Sequence, residues 1–278
     1  MASIEGTLLG GRYRVGPIIG RGGMSVVHAG EDLLLSRPVA LKLILGAQSR
    51  ELGERLFREG RAAARTNHPA LVTIFDFGTD EDTALDYLVM ELLEGEDLRA
   101  RLLQRRVIPV TQAIAIAIDV ADALVDVHGA GIVHRDLKPA NVFLARRGLR
   151  IDEVKLLDFG VAKQVDLETL TVTGQSVGTL AYMAPEQVAS SRHVDPRSDL
   201  YALGVLLHEC LTGTLPHPSR SLDDVVQRVW NDESPRLSVS AELPDALATI
   251  VERCLQPRAE QRYASARELR DALLRLGR

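Results

Sequence analysis

Hydrophobic periodicity in this chain changes character once, across Leu92 to Gly95. Before that point, Val/Ile/Leu-rich segments are punctuated by Gly and Pro. Tyr13 to Ile44, broken at Gly20, Gly22, Gly23, Gly30 and Pro38, predicts three antiparallel strands, and Leu71 to Phe77 and Leu85 to Glu91 predict two more. Arg50 to Thr66 interrupts them as an amphipathic helix, with Leu52, Leu56, Ala63 and Ala64 on one stripe. After that point the pattern turns helical. Asp97 to Arg106 forms one helix and Thr111 to Gly129 a longer one, with Thr111 as expected N-cap and Ile114, Ile118, Ala121, Leu124 and Val125 at helical spacing. Leu92 to Gly95 therefore reads as a connection between two lobes. Met1 to Gly11, short and rich in small residues, is expected to be flexible.

The long helix ends at Gly129-Ala130-Gly131 and delivers the chain into His134-Arg135-Asp136-Leu137-Lys138-Pro139-Ala140-Asn141. Asp136 can accept a hydroxyl proton, Lys138 can neutralise a transferring phosphate, and Asn141 offers a carbonyl oxygen to a hard cation. Taken alone, such a loop is as readily a plain turn. Two further stretches lend it company. Gly20-x-Gly22-x-x-Ser25-x-Val27 lies between predicted strands, where glycines let backbone N–H groups approach a polyphosphate, although a glycine-rich hairpin turn has the same pattern. In Val39-Ala40-Leu41-Lys42 a lysine between apolar neighbours is costly unless it meets an anion, and Glu59 on the following helix, otherwise a plain surface glutamate, is the available partner. Val142 to Leu144 and Val154 to Leu157 predict a β-hairpin running into Asp158-Phe159-Gly160, which brings a second oxygen ligand to a strand end.

Charge and composition exclude several classes. A formal net charge of -5 argues against nucleic acid as a partner, since phosphate-backbone binding needs a concentrated basic face. Arg101, Arg105 and Arg106 sit on a mixed-charge helix and are expected to be solvated. Cys210 and Cys254 are too few for a disulfide framework and read as two buried thiols. No apolar run is long enough to span a bilayer, no signal-peptide pattern opens the chain, and Ala2 stands where myristoylation needs glycine. The expectation is a soluble, cytoplasmic chain with no membrane contact of its own, either alone or as the cytoplasmic part of a longer anchored protein.

Gly20, Gly22, Lys42, Glu59, His134-Arg135-Asp136, Lys138, Asn141, Asp158-Phe159-Gly160 and Ala184-Pro185-Glu186 occur in the order and at the intervals of the eukaryotic-type (Hanks-type) protein kinases, which this chain resembles from about Tyr13 to Leu276. Lys138, and Gly178-Thr179 ahead of Tyr182, look like the Ser/Thr-specific branch; Gly22-Gly23-Met24 and Ala184-Pro185-Glu186-Gln187 look like its bacterial members. The resemblance implies an α+β, bilobal fold. A small β-rich lobe would span about residues 12–91, a hinge about 91–95, and a mainly helical lobe about 96–276. It also implies ATP with Mg2+, or Mn2+ in its place, and protein substrates bearing Ser or Thr.

By the same resemblance, Lys42 paired with Glu59 would hold the α- and β-phosphates, Asn141 and Asp158 the metal, Asp136 the acceptor hydroxyl, and Lys138 the γ-phosphate. Gly20, Gly22 and Gly23 would cover the phosphates. Ile19, Val27 and Ala40 from above and Phe143 from below would enclose adenine, with backbone groups of Glu91 and Leu93 binding it, Met90 as gatekeeper and Asp97 at the ribose. Asp199 would brace the catalytic loop, and Glu186 would pair with Arg262. Trp230, Leu247 and Leu255 read as packing, and His208 and His217 as chemically silent. Ser25 departs from the family pattern by replacing its third loop glycine, which is expected to alter loop stiffness without loss of ATP binding. Within the activation segment, Thr171 and Thr173 are the expected autophosphorylation sites, with Arg135 and Lys163 as phosphate-binding cations; Thr179 is set aside as a structural residue. A homodimer would serve phosphorylation in trans. The alternative from another class is a pseudokinase, a nucleotide-binding scaffold, against which stand Lys42, Asp136 and Asp158.

Overall fold

The computed structural model describes residues 4–22, 25–44, 66, 68–147, 150–158, 180–189, 194–217 and 243–277. The chain divides into two compact units, Met1–Asn67 with Val72–Glu94, and His68–Leu71 with Gly95–Arg278.

The first unit is an antiparallel sheet built from β1 (Leu8–Leu9), β2 (Tyr13–Arg21), β3 (Ser25–Asp32), β4 (Arg37–Ile44), β5 (Ile74–Thr79) and β6 (Asp86–Glu91), in the order β1-β2-β3-β4-β6-β5. Alternation sorts its residues onto two faces. Tyr13, Val15, Val26, Val39, Leu41, Leu43, Tyr87 and Val89 form the apolar core with Leu9. The other face carries Val27, Lys42 and Leu88 in one cross-strand row and Ala40 and Met90 in the next, following the registers Val27↔Lys42, Lys42↔Leu88 and Ala40↔Met90.

Residues 4–11, expected to be flexible, are instead built into this sheet. Leu9 is fully buried, Gly6 N–H donates to the Val15 carbonyl at 2.8 Å, and Gly10 N–H donates to Asp80 at 2.9 Å. Small residues here serve close packing: Gly10 adopts φ 53° directly beneath the Tyr87 hydroxyl.

The second unit contains β7 (Gly95–Asp97), α1 (Leu98–Arg105), α2 (Val110–Gly129), a hairpin of β8 (Val142–Arg147) and β9 (Arg150–Leu156), and helices α3 (Pro185–Ala189), α4 (Arg197–Thr212), α5 (Asp245–Cys254) and α6 (Ala266–Leu274). Helices α4 and α6 pack on α2, and α5 packs on α4. Asp97 caps α1, accepting the Ala100 N–H at 2.7 Å. The long helix starts earlier than expected. Pro109 is its N-cap, because its φ of -52° turns the chain and its carbonyl already accepts the Ala113 N–H at 2.9 Å. Its innermost face is also rotated, to Ala113, Ile116, Ala117, Val120, Ala121, Leu124 and Val127, leaving Ile114, Ile118 and Val125 half-buried.

Arg101, expected to be solvated, is buried and forms ion pairs with Glu96 and Asp152. Leu247 and Leu255 pack inside, as do the free thiols Cys210 and Cys254; burial raises both thiol pKa values, that of Cys254 to about 12. His208 is also buried, its Nδ1 at 2.9 Å from the Thr214 carbonyl. Trp230 lies outside the described residues.

One tetrapeptide belongs to the second unit while its flanks belong to the first. His68 Nδ1 accepts the Ala70 N–H at 3.1 Å, which places the ring proton on Nε2, 3.2 Å from Asp122 Oδ2 on α2. The Ala70 carbonyl accepts the Leu156 N–H at 2.7 Å, and Leu71 makes a parallel bridge to Leu156.

Candidate active site

Helix α2 ends where Gly131, at φ 75°, donates its N–H to the His128 carbonyl at 3.0 Å. The loop that follows is held from the first turn of α4. Asp199, 1% exposed, accepts the His134 N–H with Oδ2 and the Arg135 N–H with Oδ1, each at 2.8 Å, and its Oδ2 also takes His128 Nε2 at 2.8 Å. These bonds hold Arg135 at φ 64°, a left-handed conformation a non-glycine residue adopts only when its surroundings impose it. The Arg135 carbonyl receives Gln187 Nε2 at 3.1 Å. His134 is completely buried; Nε2 donates to the Leu157 carbonyl at 3.1 Å, and Nδ1 faces the Asp136 N–H at 3.3 Å.

On this support Asp136 is gripped from two sides. Lys138 Nζ lies 3.1 and 3.0 Å from its carboxylate oxygens, and Asn141 Nδ2 donates to Oδ2 at 3.0 Å and to the Asp136 carbonyl at 2.7 Å. A 3-10 turn, Pro139–Asn141, folds the loop back so that these side chains meet. Since the Asn141 amide nitrogen faces Asp136, its Oδ1 is turned away, an oxygen donor of the kind hard divalent cations take. The Asn141 carbonyl accepts the Leu157 N–H at 2.8 Å. Leu157 is therefore tied to both His134 and Asn141, and the next residue, Asp158, leaves the strand end at φ 46°. An Asn carbonyl and a carboxylate delivered by adjacent backbone fit a divalent cation.

A second anchor lies behind the loop. Arg262, fully buried, grips Glu186 with Nη1 at 2.7 Å and Nη2 at 2.9 Å, and donates to the carbonyls of Gln256, Pro257 and Arg197. Ser198 Oγ adds a bond to Glu186 at 2.6 Å. Burial works to raise the Glu186 pKa, but Arg262 and Ser198 outweigh it and hold the carboxyl below its ordinary range. Tyr182 donates to Glu209, whose own pKa burial raises.

In the first unit, Gly20 pairs with Val27 across β2 and β3, and Gly22 N–H closes the turn onto the Ser25 carbonyl at 2.8 Å. Ile19 is exposed at the loop. Val27, Ala40, Lys42 and Met90 share the sheet face opposite the core, and Glu91 N–H donates to the Thr73 carbonyl at 2.9 Å, the residue just ahead of β5. Leu93 follows in the strand-to-strand connection. In the second unit, Asp97 pairs with Phe143 across β7 and β8. Gly23, Glu59, Thr171, Thr173, Lys163 and Thr179 lie outside the described residues. Sequence reasoning missed His128, Gln187 and Ser198. Only His128, in the last turn of α2, carried a visible signal, a polar ring closing an apolar helix.

The geometry of this loop fits phosphoryl transfer, and comparison with known proteins gives the class to which the chain belongs. The family model for the protein kinase domain matches residues 13–273, and the chain belongs to that family. Its relatives place it more narrowly, as a bacterial-type Ser/Thr protein kinase domain of the Hanks type. It is 39% identical over 269 residues to the serine/threonine-protein kinase PknL of Mycobacterium tuberculosis, covering 95% of this chain and 65% of PknL. It is 38% identical over 274 residues to PknB of Mycobacterium leprae, covering 96% of this chain and 43% of PknB. The crystal structure of the Mycobacterium tuberculosis PknI kinase domain superposes with a TM-score of 0.75 at 31% identity, covering 99% of each chain. The chain thus spans less than two thirds of the length of these curated relatives. Protein kinases as a family use ATP with a divalent metal ion and act on proteins. Among the described residues no helix is long and apolar enough to cross a membrane.

Proposed function

We propose that the protein to which this domain belongs transfers the γ-phosphate of ATP to Ser and Thr hydroxyls of proteins, with Mg2+, or Mn2+ in its place, as the metal. The observation that carries this is the Asp136 carboxylate held by Lys138 and Asn141 on a loop fixed by Asp199. The acceptor oxygen attacks the γ-phosphorus, the bond to the β-phosphate oxygen breaks with its electron pair leaving on ADP, and the hydroxyl proton passes to Asp136. Lys138, already beside that carboxylate, balances the charge that gathers on the transferring group. Asn141 and Asp158 hold the metal, which when bound neutralises phosphate charge.

On the first unit, Gly20, Gly22, Gly23 and Lys42, with Glu59 as its partner, serve the phosphates, while Ile19, Val27, Ala40, Met90, Glu91 and Leu93 serve adenine. On the second, Asp97 serves the ribose and Phe143 the base. Phosphorylation of Thr171 and Thr173 in trans, within a homodimer, raises activity through Arg135 and Lys163.

The test is transfer of labelled γ-phosphate from ATP with Mg2+ to the protein itself and to a generic basic substrate, wild type against Asp136→Asn. Incorporation on Ser or Thr that falls by about 10²- to 10⁴-fold in the variant supports the reading, and mapping the label tests Thr171 and Thr173. ATP binding without any transfer by the wild type would replace it with the pseudokinase reading.

A further inference from the structure

One buried guanidinium of the second unit, outside the loop of Asp136, joins two strands, and a residue of a third element braces it from behind. Arg101 in α1, 6% exposed, pairs through Nε with Glu96 Oε1 at 2.6 Å and through Nη2 and Nη1 with Asp152 at 2.8 and 3.3 Å. Gln112 of α2 donates to the same Asp152 carboxylate at 2.5 Å, and Gln104 donates to Glu96 at 3.3 Å. Asp152 sits at φ 67°, an unfavourable backbone for aspartate that its bonds to Arg101 and Gln112 hold in place.

The positions of these partners give the network its meaning. Glu96 immediately precedes Asp97, which caps α1 and pairs with Phe143 across β7 and β8. Asp152 lies on β9, whose Lys155 pairs with Phe143 from the other side. The guanidinium therefore clamps the short strand carrying Asp97 to the hairpin carrying Phe143. Without it, Glu96 and Asp152 become two carboxylates facing one another with no cation between them, and like charges push β7 away from the hairpin.

We infer that Arg101 is a positioning residue for nucleotide binding, setting Asp97 against the ribose hydroxyls and Phe143 against the base. The inference rests on the nucleotide roles proposed above for those two residues. Arg101 touches no substrate and acts through Glu96 and Asp152, so its removal loosens nucleotide binding and leaves phosphoryl transfer at saturating ATP intact.

The experiment compares wild type, Arg101→Met and Arg101→Lys by direct titration with ATP and with 2′,3′-dideoxy-ATP, alongside steady-state kinetics. Loss of an orienting partner one step removed from a ligand costs about tenfold or more. The expected result for Arg101→Met is a Kd and KM for ATP raised about tenfold, kcat within about twofold, and reduced discrimination between ATP and the dideoxy analogue. Arg101→Lys, which keeps the charge without the two-pronged geometry, is expected in between. A folded Arg101→Met with unchanged ATP affinity overturns the inference, as does a fall in kcat with affinity unchanged. If Arg101→Met does not fold, Arg101→Lys decides, and wild-type affinity and discrimination in that variant overturn it. Failure of the wild type itself to bind ATP would instead overturn the proposed function.

Discussion

Asp199 accepts the two consecutive amides of His134 and Arg135 with its two separate carboxylate oxygens, both at 2.8 Å. One side chain in the first turn of a buried helix thereby fixes the backbone of the catalytic loop. Only a group with two acceptor oxygens can do this. Asp199→Asn replaces one oxygen by an NH2 that faces an N–H donor. The expected outcome is a stability loss of about 1–3 kcal/mol, from an amide left without its acceptor in a buried site, and a kcat lowered about 10²-fold as Asp136 shifts. Denaturant titration and single-turnover transfer measure the two effects separately.

Glu186 and Arg262 make stability depend on pH. The Glu186 carboxyl is held below its ordinary value of 4.5 in the folded protein. A depressed folded pKa contributes stability that is complete above the unfolded value and is lost as pH falls through the folded one. Arg262→Met, which leaves Glu186 buried without its cation, is expected to cost about 3–5 kcal/mol near pH 7. Without Arg262, burial raises the Glu186 pKa above 4.5 in the variant, so the penalty should begin to shrink above pH 4.5 as Glu186 takes up a proton, and shrink further below it as the wild type loses its own share. Equal penalties at pH 7 and pH 4 would contradict this.

In the first unit, Asp32 is fully buried and bonded to Arg12 by two hydrogen bonds of 2.8 Å, with further bonds from Leu34 and Leu35 N–H. Arg12, foremost among these, holds its pKa down at about 2 against an ordinary 3.8. Its contribution is therefore full above pH 3.8 and fades toward pH 2. Asp32→Asn is expected to lower the melting temperature at pH 7 and to flatten its decline between pH 4 and pH 2, followed by circular dichroism.

Gly204, in the middle of α4, packs against the C-terminal end of α5. A Cβ there would lie 2.5 Å from Cys254 Cβ, and neither atom can swing aside. Gly204→Ala gains about 1 kcal/mol in helix propensity, yet overpacking costs about 1–3 kcal/mol, so a net loss is expected. Stability equal to or above wild type in chemical denaturation would show that α5 can move away.

The meeting of Asp136, Lys138 and Asn141 was legible in the sequence because the three lie in one short stretch, and the setting of Lys42 because it interrupts an apolar strand. Strands β2 to β4 and β6 were visible as apolar segments, whereas β1 was not, and β5 begins at Ile74 and not at Leu71, because Leu71 pairs with Leu156 in the second unit. The face of α2 was not. That helix is rich in Ala, Ile and Val around its whole circumference, so periodicity alone could not distinguish Ile114 from Ile116. Arg101 was misjudged for another reason. Its partner Asp152 lies 51 residues away, and nothing in local charge pattern reveals a pairing made only when the hairpin folds against α1. Residues 4–11 likewise find contacts outside their own stretch, with Val15 on the neighbouring strand and with Asp80, 70 residues from Gly10.

The excursion of His68–Leu71 bears on how kinases of this kind can be recombined. A chimera joined at Glu94 and Gly95 looks like a clean exchange of modules, but the transplanted piece carries a tetrapeptide that belongs with the recipient. Ala70 and Leu71 are buried there, bonded to Leu156, and His68 meets Asp122. Modularity in this chain is interleaved, and a graft succeeds only where the host supplies a matching seat at the positions of Asp122 and Leu156.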